Sequence, residues 1–234
     1  MISMKNNSPS WVGSVLVALL VLAEGCASSP PPRELYRDSL TSIRLEVDER
    51  RNGEHGHPAR VSTEQMAAVL NGVRVISRKG MIGSMVMGEA QAAAAFSPME
   101  IQALAPQLSH ALAQAKPEEL VTFYRRYTDV SVGLAVTSGG LFVQDQHLYF
   151  ILANDRTLPS DSININMMYE IDPVDNPLQP ISRNSFRASF VPSYVLVPPD
   201  ERRPWPYIDE GRILAVDLKL LDHEMKGDPS ASKR

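Results

Sequence analysis

The chain has 234 residues, of which 44% are hydrophobic and 21% are charged. These fractions are typical of globular proteins and exclude global disorder, because disordered chains carry too little apolar surface to form a core. The formal net charge of -4 and the pI near 5.8 give no electrostatic reason to expect nucleic acid as a partner, since phosphate binding needs clustered lysine and arginine.

The first 25 residues have the three-part layout of a secretory signal peptide. Lys5 gives a basic start, a mostly apolar and uncharged run follows over residues 11–23, and small residues surround a cleavage point before Cys26. The run is shorter than the roughly 20 residues that cross a bilayer. We therefore predict that residues 1–25 are removed, and we expect no permanent transmembrane helix.

Residues 22–26 (LAEGC) end at Cys26, the only cysteine of the chain. They resemble the lipobox of bacterial lipoproteins, with Gly25 as the small residue before the cleavage point. The resemblance implies that Cys26 carries fatty acid such as palmitate, becomes the mature N-terminus and anchors the protein in a membrane. On the residues alone, cleavage without lipidation and an uncleaved anchor stay open as alternatives.

The residues after Cys26 bear on location and on domain organisation. Residues 27–28 lack the aspartate that retains enterobacterial lipoproteins in the inner membrane, so the resemblance favours the outer membrane, with the domain facing the periplasm. Residues 26–33, rich in serine and proline, predict a lipidated cysteine followed by a stiff tether. We then expect a single globular α+β domain over residues 34–225 and a disordered tail over residues 226–234.

Alternation of apolar and polar residues with a period of two predicts half-buried strands in several places. The segments that show it are residues 43–47, 130–136, 186–190 and 214–220, and residues 73–76, 121–127 and 194–197 are weaker candidates. Residues 141–154 predict a hairpin with a polar break at 144–146. Its second half, residues 148–153, is apolar on both faces, which predicts an interior rather than an edge strand.

Two helix starts carry a capping box, in which the first side chain caps the helix and the residue three positions later bonds back. Ser62 with Gln65 and Ser97 with Glu100 form these boxes. Pro106 inside the second helix predicts a kink or a split, because proline removes a backbone donor.

These elements together predict the fold class. We expect an α+β fold with a mostly antiparallel β-sheet, for which a sandwich-like arrangement is one option. Two or three helices are inserted around residues 61–116.

Common catalytic signatures are absent from the sequence, including the nucleophile elbow, the H-E-x-x-H zinc motif and glycine-rich phosphate loops. A cysteine nucleophile is excluded because the only cysteine lies at the predicted anchor. The best metal candidates are His55 and His57, with Glu54 beside them and Glu46 and Asp48 on the preceding strand, since two imidazoles and a carboxylate can bind zinc or copper. A solvated glycine-rich turn is the alternative interpretation, and we expect no cofactor.

Two further segments are candidates for partner binding. Met81, Met85 and Met87 lie in a stretch rich in glycine, methionine and alanine, which is either a buried connection or a pliable apolar surface that docks a partner. Trp205 and Tyr207, in a proline-rich loop, either cap the core or anchor a protein partner.

The sequence thus predicts a non-enzymatic binding or scaffold module that is anchored to a membrane through Cys26 and binds an envelope protein. The alternative is a metal-dependent periplasmic enzyme or metal-binding protein that uses His55 and His57. A lipid carrier is the third possibility.

Overall fold

The computed structural model describes residues 30–49, 55–77, 92–129, 133–158, 174–181, 186–202 and 209–227. Its fold is α+β, which confirms the predicted class. Within these ranges the strands are β1 (Arg33–Arg37), β2 (Thr41–Val47), β3 (Val73–Ser77), β4 (Ala93–Ala94), β5 (Glu119–Asp129), β6 (Gly133–Gln144), β7 (His147–Thr157), β8 (Phe186–Phe190) and β9 (Ile213–Asp217). The α-helices there are α1 (Thr63–Gly72), α2 (Pro98–Gln114) and α3 (Leu218–Met225), and short 3-10 turns lie at Ser193–Val195, Pro199–Glu201 and Glu210–Arg212.

Six strands form one antiparallel sheet in the order β1-β2-β5-β6-β7-β9. The predicted hairpin is β6 and β7, in which Gln144 pairs with His147. Asp145, between them, has a φ of 57°, a left-handed conformation that aspartate tolerates in turns. β7 lies between β6 and β9, which confirms that the strand with two apolar faces is interior.

A smaller antiparallel sheet has the order β4-β3-β8. β3 begins at Val73, the residue directly after α1, so the first helix leads into this sheet without a loop. Val73 pairs with Phe190 at the far end of β8. The two helices that the capping boxes predict are α1 and α2, and α3 follows β9 near the end of the described chain.

The large sheet buries side chains on both faces, because neighbouring residues of a strand point to opposite sides. Leu148, Phe150 and Leu152 of β7 belong to the main core, which α1, α2 and the small sheet also share. Tyr149 and Ile151 belong to a smaller apolar cluster on the other face. The remaining members of that outer cluster are Leu120, Phe142, Leu178, Val197, Ile213 and Ala215.

Both predicted capping boxes are present. The Ser62 hydroxyl accepts from the Gln65 amide, and the Gln65 side chain accepts from the Ser62 amide at 2.8 Å. Ser97 and Glu100 make the same pair of bonds at the start of α2. No helix in the described ranges is long and apolar enough to cross a membrane.

The split predicted at Pro106 is not found, since α2 runs through the proline from residue 98 to residue 114. Leu104 and Leu108 lie on either side of Pro106 along the helix, and both are almost completely buried in the main core. Their burial offsets the missing backbone bond, which costs about 3 kcal/mol in a helix interior.

The strand predicted over residues 214–220 is wrong in its second half. β9 ends at Asp217, whose carboxylate accepts from the amides of Lys219 at 2.8 Å and Leu220 at 3.1 Å. Asp217 is therefore the N-cap of α3, and an apolar-polar alternation that looked like a strand continues into a helix.

Two other strand predictions need correction or reach beyond the described residues. Residues 194–197 form a 3-10 turn followed by a single bridge from Leu196 to Val216, rather than a strand. The predicted strand over residues 130–136 is described only from Gly133 onward, as the start of β6, and residues 130–132 lie outside the described ranges.

Candidate functional site

Residues 174–181, here called the strap, cross the outer face of the large sheet, opposite the helices. The strap is rich in residues that favour turns, and its Gln179 amide donates to the Asn176 carbonyl at 3.0 Å. Leu178 inserts into the outer apolar cluster and is 6% exposed. The strap is therefore attached to the sheet through a buried side chain as well as shaped by its own turn.

Polar side chains of β2 and β6 hold the first half of the strap. The Arg44 guanidinium on β2 donates to the carbonyl of Val174. The Ser138 hydroxyl on β6 donates to the carbonyl of Pro177 at 2.7 Å and is itself buried. Each bond fixes an irregular piece of backbone to a regular strand.

Asn154 on β7 holds the second half. Its side-chain amide donates to the Gln179 carbonyl at 2.9 Å and to the Ser138 hydroxyl at 2.9 Å, and its carbonyl accepts from the Ile181 amide at 2.8 Å. Asn154 has no exposed surface. With bonds from three strands and one apolar anchor, the strap is a fixed wall rather than a loose loop.

A cleft of about 320 Å³ lies between the strap and the end of β2. Its lining residues are Glu46, Val47, Asp48, Glu49, Leu120, Asn176, Pro177, Leu178, Gln179 and Pro180. The charged members of this set are all acidic, and five members are apolar. The cleft thus offers acidic and apolar surface to one ligand, at the small end of the range for ligand pockets.

The acids of the cleft differ in how far they are already engaged. The Glu46 carboxylate accepts from the Thr122 hydroxyl at 2.8 Å and lies 3.2 Å from the Arg44 guanidinium. Arg44 also lies 3.6 Å from the strap carboxylate of Asp175. Glu49 is exposed, and its carboxylate has no ion pair or hydrogen bond within the described ranges.

The third acid, Asp48, faces inward to His55. The distance from His55 Nε2 to Asp48 Oδ2 is 3.0 Å, and both side chains are fully buried. The backbone holds the pair in place, since the His55 amide donates to the Pro117 carbonyl at 3.0 Å and the Asp48 amide to the Glu118 carbonyl at 2.8 Å. The interpretation of this segment as a solvated turn is wrong.

His57 is buried two residues further on, with both ring nitrogens engaged. Nδ1 lies 2.8 Å from the carbonyl of Glu119 and so donates to it, while Nε2 accepts from the Val143 amide at 3.0 Å. This arrangement requires a neutral ring that carries its proton on Nδ1. Burial, together with the neighbouring His55, lowers the pKa of His57 to about 4.

These contacts do not favour the predicted metal site. A metal ion at His57 would have to replace one of its two backbone bonds, and His55 Nε2 already faces Asp48. Within the part of the chain that the structure describes, no group of three or more metal-binding side chains comes together. Of the carboxylates predicted near the two histidines, Glu54 lies outside that part, whereas Asp48 faces His55 at 3.0 Å.

The other predicted site residues lie outside the described ranges. These are Cys26 at the predicted anchor, Met81, Met85 and Met87 in the apolar segment, and Trp205 and Tyr207 in the proline-rich loop. The predicted signal peptide, the lipidated end of the tether and residues 228–234 of the predicted tail also lie outside them.

A second group of charged residues joins the start of α2 to β5 and β7. Glu100 is 4% exposed, and its carboxylate lies 3.6 Å from Arg125 Nε and 3.3 Å from the guanidinium of Arg156. Both guanidiniums also lie within 6 Å of the Tyr127 ring. We call Glu100, Arg125, Tyr127, Asp155 and Arg156 the charged cluster.

Burial raises the pKa of two side chains of the charged cluster, Tyr127 and Asp155. Burial and the nearby Glu100 carboxylate raise the pKa of Tyr127 to about 12. Burial also raises the pKa of Asp155 to about 6, where the positive charge of Arg156 opposes the shift and the negative charge of Glu100 adds to it. The cluster ties helix to sheet, and burial moves the pKa of Asp155 toward neutral pH.

Sequence reasoning missed the cleft and the charged cluster. For the cleft, the available signal was Arg44 and Glu46 on the polar side of β2, which a strand pattern alone assigns to solvent. For the cluster, Glu100 was recognised only as a capping residue, although its carboxylate also pairs with arginines from two strands.

No protein-family model, no curated protein and no solved structure matches this chain.

Proposed function

We propose that this protein is an exported lipoprotein of the cell envelope that binds a protein partner without catalysing a reaction, and that the cleft under the strap is where it binds. The observation that best supports this proposal is that side chains from three strands fix the strap, which forms one wall of the cleft. Loops that only connect strands do not need four side-chain tethers, whereas binding sites gain affinity from walls that are ordered before the ligand arrives.

The position of the tether supports a membrane-proximal cleft. Arg33, the first residue of β1, pairs with Leu45, and the cleft lining begins at the next residue, Glu46. Cys26 precedes Arg33 by seven residues, a reach of about 22 Å at 3.1 Å per residue in extended proline-rich chain. A lipid on Cys26 would therefore keep the cleft near the bilayer surface, within reach of membrane-bound partners.

Labelling with radioactive palmitate tests the anchor. We expect the native chain to incorporate label and fractionate with membranes, and Cys26→Ser to lose the label and appear in the soluble fraction. Two acyl chains already suffice for stable anchoring. An unlabelled native chain would remove the lipoprotein part of the proposal.

Photo-crosslinking in intact cells tests the binding site. A photoreactive residue at Asn176, on the cleft, should give a defined crosslinked product. The matched control carries the photoreactive residue at position 64 instead, in place of Glu64, which is exposed on α1 on the other side of the sheet. This variant should not give that product. Equal products from both positions, or none from either, would contradict the assignment of the cleft.

A further inference from the structure

The lining of the cleft indicates which chemical group it accepts. Glu46 pairs with Arg44 and Asp48 faces His55 inside the protein, so Glu49 is the exposed acid of a lining that contains no lysine or arginine. One carboxylate alone does not define a site, but here Glu49 borders a cleft whose opposite wall is fixed and partly apolar. Such a cleft attracts a cation and repels phosphate or carboxylate.

The protein's own Arg44 shows how this region accommodates a guanidinium. Arg44 is only 8% exposed, and it pairs with Glu46 while it donates to the strap carbonyl of Val174. A carboxylate on β2 and a carbonyl oxygen on the strap thus already bind one cation together. Glu49 and the strap amide Asn176 offer the same kinds of acceptor on the cleft side.

The apolar part of the lining fits the stem of a long basic side chain. Lysine and arginine bury their methylene stems on apolar surface while the charged head remains at polar groups. Leu120 and Leu178 are almost fully buried beneath the cleft, and Val47 lies at its β2 side. A volume of about 320 Å³ suits one such side chain with its adjoining backbone.

The geometry points to a cleft that binds a lysine or arginine side chain presented by a protein partner. This inference rests on the proposed function, because it names the partner chemistry of the same cleft. Glu49 supplies the charge for the head group, and the strap supplies the wall for the stem.

Binding of a labelled peptide to the full-length protein in nonionic detergent tests the inference by fluorescence polarisation. The probe is a nonapeptide that repeats lysine-glycine-glycine three times, and its twin carries the same lysines acetylated. We expect the lysine peptide to bind and the acetylated twin to bind at least tenfold more weakly. Equal binding of the two, or no binding of either, would overturn the inference.

Two variants separate the contribution of the Glu49 charge to peptide binding from that of the free volume in the cleft. Glu49→Gln removes one charge at an exposed position and should weaken binding of the lysine peptide about threefold, as expected for a partly solvated ion pair. Asn176→Trp keeps every acid and fills the cleft, and should weaken binding at least tenfold. Glu64→Gln changes the net charge equally on α1 and should bind like the native chain. Unchanged binding by Asn176→Trp would place the peptide elsewhere and overturn the inference.

The ammonium of a phospholipid is the competing cation at a membrane surface. Mixed micelles of the same detergent with phosphatidylethanolamine should not displace the lysine peptide any better than mixed micelles with phosphatidylcholine. Specific displacement by the former would replace the protein partner with lipid and overturn the inference. If the cellular crosslink from Asn176 persists undiminished in Glu49→Gln, the inference fails while the proposed function stands.

Discussion

Asp48 and His55 face each other in the interior of the protein, with His55 Nε2 3.0 Å from Asp48 Oδ2 and no exposed surface on either side chain. Asp48 directly follows β2, and His55 begins the described segment of residues 55–77. The pair therefore connects the cleft to the segment that contains His57 and holds both against the turn at Pro117.

Replacing Asp48 by alanine should lower the free energy of unfolding by about 3 kcal/mol, because the buried His55 ring loses the carboxylate that it faces. Asp48→Asn keeps an acceptor oxygen and should cost less. Urea unfolding followed by circular dichroism measures both.

The exposed pair of Glu34 and Arg37, 2.8 Å apart, is the matched control. Glu34→Ala should change the free energy of unfolding by about 0.5 kcal/mol or less, since surface ion pairs contribute little. A loss in Asp48→Ala as small as that of Glu34→Ala would show that the buried pair does not hold this part of the fold.

Stability should decline in acid through His57. Its pKa is about 4 in the folded chain and has an ordinary value of 6.5 when unfolded, so the unfolded state binds the proton first as the pH falls. The stabilisation is complete above pH 6.5 and is lost between pH 6.5 and pH 4, by about 3 kcal/mol at most. Urea midpoints across that range measure it.

His57→Gln should be less stable at neutral pH, and the decline between pH 6.5 and pH 4 should be correspondingly shallower. His110→Gln, at an exposed position on α2, should keep the native pH profile. A profile in His57→Gln as steep as that of the native chain would assign the acid sensitivity to another group.

Local patterns predicted the helix starts and most strands, because each depends on a few neighbouring residues. Ser62 and Ser97 announce α1 and α2 through bonds made within one turn, and the hairpin of β6 and β7 needs only its turn and its alternation. The strand predicted through Asp217 was wrong because period-two alternation does not distinguish a strand from a strand followed by a capped helix.

The site could not be predicted in this way because its contacts join distant parts of the chain. Arg44 meets the carbonyl of Val174 130 positions later, and Glu100 meets Arg156 56 positions later. His55 and His57 were noticed for their side chains, but their burial is decided by β5 and β6, which follow them by more than 60 residues.

Asp155 should make the free energy of unfolding depend on pH in the opposite sense to His57. Its pKa is about 6 in the folded chain against an ordinary value of 3.8, so ionisation is more costly in the folded state. The contribution of Asp155 to stability is therefore most favourable below pH 3.8 and falls as the pH rises from 3.8 to 6. Asp155→Asn should raise the free energy of unfolding by about 2 kcal/mol at pH 7.5.

The same substitution at Asp200, exposed on a 3-10 turn, is the control and should have an effect of about 0.5 kcal/mol or less. The charges that face Asp155 are those of Glu100 and Arg156, and both remain in the variant. If Asp155→Asn stabilises no more at pH 7.5 than at pH 4, the carboxyl is not held protonated by its surroundings.

The strap should be displaced by a single methyl group at Gly140. A Cβ on this residue would lie 2.8 Å from Leu178 Cδ2 and 3.1 Å from the Val121 carbonyl, so the Leu178 side chain has to move out of the outer apolar cluster. Overpacking of this kind costs about 1–3 kcal/mol. Hydrogen exchange should show the Ile181 amide, which bonds to Asn154, less protected in Gly140→Ala.

Trimming the clashing side chain should reverse part of this effect. In Gly140→Ala with Leu178→Ala, the loss should be smaller than the sum of the two single losses by about 1 kcal/mol, since the new methyl occupies space that Leu178 vacates. Gly139→Ala is the matched comparison, because its Cβ would lie 2.0 Å from the backbone carbonyl of Ile151. Leu178→Ala should not rescue that variant, and rescue of both alike would mean that the strap is not held through Leu178.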